Sequence, residues 1–115
     1  MIRLRRVYDK AAAGEGTRFL VERLWPRGLR KQDLPPHTWQ KEVAPSTELR
    51  QWFSHDPAKW TEFQRRYSSE LWTRPESWKP ILEEAKKGPV TLLYSSRDEE
   101  HNNAIALRGY LEKKL

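Results

Sequence analysis

The residue types best suited to chemistry fall in two short segments. One is the polar run Ser95, Ser96, Arg97, Asp98, Glu99, Glu100, His101, Asn102 and Asn103, which directly follows five apolar or β-forming residues, Val90 to Tyr94. A histidine changes charge near neutral pH and can take or give a proton, so His101 is a candidate acid or base. Ser95, Ser96, Asn102 and Asn103 offer hydroxyl and amide groups that can orient a ligand, and Arg97 adds a cation. The other segment is Glu22, Arg23, Leu24, Trp25, Pro26, Arg27 and Gly28, which closes the apolar run Phe19, Leu20, Val21. The planar fork of arginine suits a carboxylate or a phosphate, so Arg23 and Arg27 are candidate anion holders. Trp25 can stack on a ring or plug the core, and plugging is the expected role. Glu22 is either a base whose pKa rises on burial or the ion-pair partner of a loop arginine, the latter being the safer expectation. Pro26 restricts Trp25 to extended backbone and Gly28 permits a turn that other residues resist, so this loop is stiff.

The expected site is a small anionic-ligand pocket, with or without turnover, between the 22–31 and 95–103 loops. Glu22 and His101 are its catalytic candidates. Asp98, Glu99 and His101 match no metal-ligand spacing, and the chain has no cysteine, so no metal, disulfide or thiol nucleophile is expected. No Gly-rich phosphate cradle or cofactor motif is present, and no cofactor is expected.

Such loops need a frame. In an open α/β sheet, ligands settle where strands end and helices begin. The continuous apolar runs around Leu20 and Leu92 suit strands covered on both faces, which points to a mostly parallel sheet flanked by helices. Residues 3–8 read as the first strand. The connection from Tyr8 to Thr17 is shorter than the dozen or so residues a parallel crossover needs. The first two strands are therefore either antiparallel neighbours or parallel and not adjacent. A helical turn is expected at Ala11, Ala12 and Ala13. A short helix is expected through Trp39, and a fourth strand, if there is one, lies between Arg30 and Val43.

The middle of the chain reads as helices. Ser46 or Thr47 caps one carrying Leu49, Trp52 and Phe53. Asp56 followed by Pro57 starts the next, with Trp60, Phe63, Tyr67 and Leu71 on one stripe and Glu62 and Arg66 paired on the wet face. A third runs from Ser77 to Lys87 and stops at Gly88 and Pro89. A final helix is expected from about Arg97 to Lys113, opened by the S-x-x-E capping box of Ser96 and Glu99. Its acidic first turn would repel a bare phosphate.

The formal charge is +6. Residues 1–31 carry nine Lys/Arg (3, 5, 6, 10, 18, 23, 27, 30, 31) against three Asp/Glu (9, 15, 22), so the whole excess lies there. A basic stretch can attract nucleic acid, which gives a second reading, a nucleic-acid-associated module using the N-terminal third. It ranks lower because no recognised nucleic-acid motif is present. Of the six tryptophans, Trp52, Trp60 and Trp78 fall on core stripes and read as packing. A third reading is a non-catalytic interaction protein. No segment approaches the roughly 20 apolar residues of a membrane span, and the first eight residues lack the apolar core of a secretory signal. A cytoplasmic setting and one domain, residues 1–115, are expected.

Three segments together resemble the YeaO-like family of small bacterial proteins, a group of domains of unknown function. They are residues 21–28 (VERLWPRG), 44–53 (APSTELRQWF) and 92–104 (LLYSSRDEEHNNA). The resemblance covers nearly the whole chain. It implies a compact, three-layer, Rossmann-like α/β fold and a bacterial cytoplasmic setting. Family members often carry Asp where this chain has Glu22. More distant relatives often carry cysteine after the last strand, where this chain has Ser95 and Ser96, so a thiol chemistry is not open to it.

Overall fold

The computed structural model describes residues 1–115. Four strands, β1 (Ile2–Arg6), β2 (Thr17–Leu20), β3 (Thr38–Trp39) and β4 (Val90–Tyr94), form one sheet in the order β1-β4-β2-β3. Every pairing is parallel, with Leu92 opposite both Leu4 and Phe19. β1 and β2 are thus parallel and separated by β4. The fourth strand does lie between Arg30 and Val43. It is only two residues long, and it replaces the short helix expected through Trp39. No helix forms at Ala11–Ala13, where the chain turns instead.

Four helices complete the fold, α1 (Thr47–Phe53), α2 (Trp60–Trp72), α3 (Pro75–Lys87) and α4 (Asn103–Glu112). The Ser46 side chain accepts the Leu49 N–H to cap α1, and Asp56 accepts the Ala58 N–H before the short turn that leads into α2. α3 starts at Pro75, two residues before Ser77, because proline tolerates the first helical position.

The last helix departs most from expectation. It begins at Asn103, with Asn102 as its cap through the Ile105 N–H at 3.0 Å. Ser96 and Glu99 form no capping box. The Ser96 hydroxyl oxygen accepts the Asp98 N–H, and Asp98 Oδ1 accepts those of Glu100 and His101. These local turns keep residues 95–102 out of the helix. No acidic residue then lies in its first turn, so the expected acidic barrier at that end is absent.

The pleat divides the core in two. Ile2, Phe19, Val21, Val90, Leu92 and Tyr94 face one way and join the buried residues of all four helices. Val7, Leu20 and Leu93 face the other way and are covered by Leu34 together with Trp25, Leu29 and Trp39. The fold therefore has three layers, helices, sheet and the irregular segment after β2. This explains the continuous apolar runs of β2 and β4, whose faces are both covered. No helix is long and apolar enough to cross a membrane.

Candidate functional site

The chain leaves β2 toward β3, while α4, which follows β4, packs on β1 and β4. Adjacent strands whose continuations diverge leave a crevice at their C-terminal ends. Here that crevice is a cleft of about 420 Å³ on the helical side of the sheet. One wall is α1 and its C-terminal turn, with Thr47, Arg50, Gln51, Ser54 and His55. The opposite wall is the β4–α4 loop, with Ser96, His101, Asn102 and Asn103. Apolar surface comes from Leu24, Pro45, Phe53 and Phe63.

The α1 wall follows from helix spacing. Thr47, Arg50, Gln51 and Ser54 are three or four residues apart and share one face, while Leu49 and Phe53 point into the core. Ser54 and His55 adopt φ of +46° and +57°. Non-glycine residues take this left-handed form at some cost, and here it turns His55 into the cleft wall. Arg50 is exposed and belongs to none of the ion pairs of the molecule. None of the cleft residues is acidic.

On the other wall, His101 places Nδ1 3.0 Å from Asp98 Oδ2. That contact sets the ring orientation and leaves Nε2 free. The Trp60 ring meets the imidazole edge-on, 5.4 Å between centroids. The Asp98 carboxyl sits below its ordinary pKa, chiefly through the Glu100 N–H and then through His101. The Asn102 and Asn103 side chains are structural: Asn102 caps α4 and donates to the Asp98 carbonyl, and Asn103 donates to the Val21 carbonyl at 2.8 Å.

Glu22 lies at the end of β2, where its Oε1 accepts the Ser95 N–H at 3.0 Å. Burial raises its pKa above the usual carboxylate value, while the Ser95 bond and the charges of Arg50 and His55 pull it partly back. It makes no ion pair with a loop arginine, contrary to the safer expectation. Arg23 instead turns toward the Ala44 and Pro45 carbonyls, at 3.0 and 3.3 Å.

Of the sequence candidates, Ser96, His101, Asn102 and Asn103 line the cleft, with Glu22 and Ser95 joined beside it. Arg23, Trp25, Arg27, Gly28 and Arg97 do not line it. Trp25 packs over the second core cluster and donates to the Leu29 carbonyl. Arg27 contributes its carbonyl, which the Tyr8 hydroxyl approaches at 2.6 Å, Gly28 takes φ +77° at the turn, and Arg97 is exposed. The residues that sequence reading missed are Thr47, Arg50, Gln51, Ser54 and His55. The first four form a polar i, i+3, i+4, i+7 stripe along a short helix and its cap, which otherwise reads as a solvent face, and His55 follows the helix as a residue that reads as exposed. No group of three His, Asp or Glu side chains is placed to hold a metal.

The arginines of the basic third are largely occupied. Arg5 and Arg18 bind the buried Glu15, Arg6 donates to the Ser96 carbonyl at 3.0 Å, and Arg30 pairs with Asp33.

Residues 1–115 match the family model described as the inactive DUF488-N3 subclade. The chain is also 43% identical over 110 residues, 96% of each chain, to the uncharacterized protein YeaO of Escherichia coli strain K12. It belongs to this YeaO-like family. Uncharacterized proteins of Mycobacterium bovis (Mb3100c) and Mycobacterium tuberculosis strain H37Rv (Rv3073c) are each 47% identical over 70 residues, covering 61% of this chain and 59% of theirs. No solved structure matches the family member described here.

Proposed function

We propose that the protein binds a small anionic ligand in the cleft at the C-terminal edge of β2 and β4. One observation carries this reading: an unpaired guanidinium, Arg50, and two imidazoles, His55 and His101, line a cleft that holds no acidic side chain. Anions are drawn to such a lining, and Arg offers two parallel hydrogen bonds to a carboxylate or phosphate. The family description as inactive, together with serine at positions 95 and 96, favours recognition without turnover. Glu22 and His101 then tune and orient rather than transfer protons. The nucleic-acid reading ranks below, because five arginines of the basic third are engaged within the fold.

Thermal denaturation against small carboxylates and phosphates at matched ionic strength tests the reading. A ligand that binds only the folded state raises the Tm. The expected result is a concentration-dependent rise that Arg50→Gln abolishes. No stabilisation by any anion, or stabilisation indifferent to Arg50, refutes it.

A further inference from the structure

We propose that a second copy of this chain docks on the open edge of the sheet, β1 pairing antiparallel with its twin and α4 lying alongside α4.

The strand supplies the first observation. β1 closes the sheet on one side, with β4 as its single neighbour. Val90 donates to the Met1 carbonyl and Val7 to that of Tyr94. Backbone groups alternate in direction along a strand. Those of Arg3 and Arg5 therefore face β4, while those of Ile2 and Leu4, and the Arg6 N–H, face outward. No loop bonds to the outward groups of Ile2 and Leu4. Such a row is a template for another strand. The other edge, β3, offers only two residues.

The helix above supplies the second. α4 packs over β1 and β4. Its Tyr110 ring meets Trp78 of α3, 5.4 Å between centroids, so that flank faces the helical layer. Residues two apart on a helix point about 200° away from each other. Arg108 and Glu112 each stand two from Tyr110, and both therefore lie on the opposite flank, above the strand edge. Neither belongs to any ion pair of the molecule. They are one turn apart and opposite in sign. A twofold axis at the level of Tyr110 sets each Arg108 against Glu112 of the other copy. Only a second copy satisfies both charges at once, which is the self-complementarity of an isologous interface. Ile105, half-buried on the same flank, and the half-buried Leu4 add apolar surface.

One axis serves both layers. Asn103, where α4 starts, reaches the Val21 carbonyl. Leu20 pairs with Leu93, and Leu93 with Arg5, so Val21 is level with Arg6. From Arg6 back to Leu4 is about 7 Å of strand, and from Asn103 to Tyr110 about 10 Å of helix. The reach of the Asn103 side chain covers the difference, so an axis through Leu4 passes close to Tyr110. Leu4 then exchanges both backbone hydrogen bonds with Leu4 of the other copy, and Ile2 pairs with Arg6. On the far face Arg3 stands opposite an Arg5 whose charge Glu15 already holds.

Sedimentation of the full chain from about 1 to 100 μM tests this. A monomer–dimer equilibrium is expected within that range. Glu112→Arg, at an exposed position, sets like charges together and should weaken the dimer about tenfold or more. Arg108→Glu should do the same, and the two combined should restore it. Thermal melts check that each variant is folded. Hydrogen exchange of the Leu4 amide should slow in the dimer. A parent chain monomeric throughout the range overturns the proposal, as does a dimer indifferent to Glu112→Arg. So does a folded double variant that stays monomeric, or a Leu4 amide that exchanges equally fast in monomer and dimer.

Discussion

Ser95 donates its backbone N–H to Glu22 Oε1 at 3.0 Å, a bond between residues 73 positions apart that ties the end of β2 to the end of β4 beside the cleft. The bond places a carboxyl where burial raises its pKa. The sign of the consequence is fixed. Below the ordinary carboxylate value both the folded and unfolded chains hold Glu22 neutral, and no stability is lost. As pH rises through the ordinary value to the folded one, the unfolded chain ionises first and stability falls, and above that the full cost persists. Glu22→Gln retains an oxygen acceptor for Ser95 and removes the charge. It should therefore raise the Tm at about pH 7–8 and leave it unchanged near pH 4, as thermal melts across that range would read. A lower Tm at neutral pH would mean that ionised Glu22 is stabilised by its cationic neighbours.

Glu15 shows the opposite balance. Its side chain is 2% exposed and bound by Arg5 and by Arg18, the latter at 2.6 Å. Burial alone would raise its pKa, but the hydrogen bonds and charges of the two arginines outweigh burial and hold it below the ordinary value. Its contribution is present above the ordinary carboxylate value and is lost as pH falls through the folded one. Glu15→Gln leaves the largely buried Arg5 without a counter-charge and should cost about 3 kcal/mol at neutral pH. Urea titrations at pH 7 and pH 3 would show the gap between variant and parent shrinking in acid.

Two glycines separate backbone strain from steric clash. Gly16 has φ +68°, and a Cβ there would stand 2.0 Å from the Pro89 carbonyl oxygen, which also accepts the Thr17 N–H. Gly28 has φ +77° but open space around it. Gly28→Ala should cost about 1–2 kcal/mol, the penalty of the left-handed backbone alone. Gly16→Ala should cost more than about 3 kcal/mol, since the β2–β4 pairing must shift as well. Equal costs in urea denaturation would show that the strands separate there without penalty.

What the sequence shows, and what it hides, follows from the range of the interactions involved. Leu20, Val21, Leu92 and Leu93 announce strands covered on both faces because burial on each side leaves no room for polar alternation. Ser46 and Asp56 announce helix starts because a cap acts within three residues. β3 escapes notice because two residues carry no period, and its pairing with Phe19 and Leu20 is tertiary. Ser96 and Glu99 mislead because S-x-x-E also fits a chain of local turns, which the Asp98 side chain closes onto Glu100 and His101. In the cleft, His101 and Ser96 stand out by type. Arg50 and His55 do not, since only the approach of α1 to the β4–α4 loop turns a wet helix face into a wall.

Trp25 sits in the middle of the most recognisable segment of the chain, yet its contacts are those of a plug. It packs over Val7, Leu20, Leu34 and Leu93, meets the Trp39 ring edge-on at 5.4 Å, and donates its indole N–H to the Leu29 carbonyl at 2.6 Å. These contacts lie on the face of the sheet opposite the helices, away from the cleft walls. Trp25→Ala should then cost about 3 kcal/mol of stability by opening the cover of the second core. Trp25→Phe, which keeps most of the ring surface and loses the hydrogen bond, should cost nearer 1 kcal/mol. Neither should change ligand affinity at a temperature where the variant is folded. Urea denaturation paired with calorimetric titration of a small carboxylate checks both halves. A Trp25→Phe variant of parental stability and impaired binding would place the indole in recognition rather than in packing.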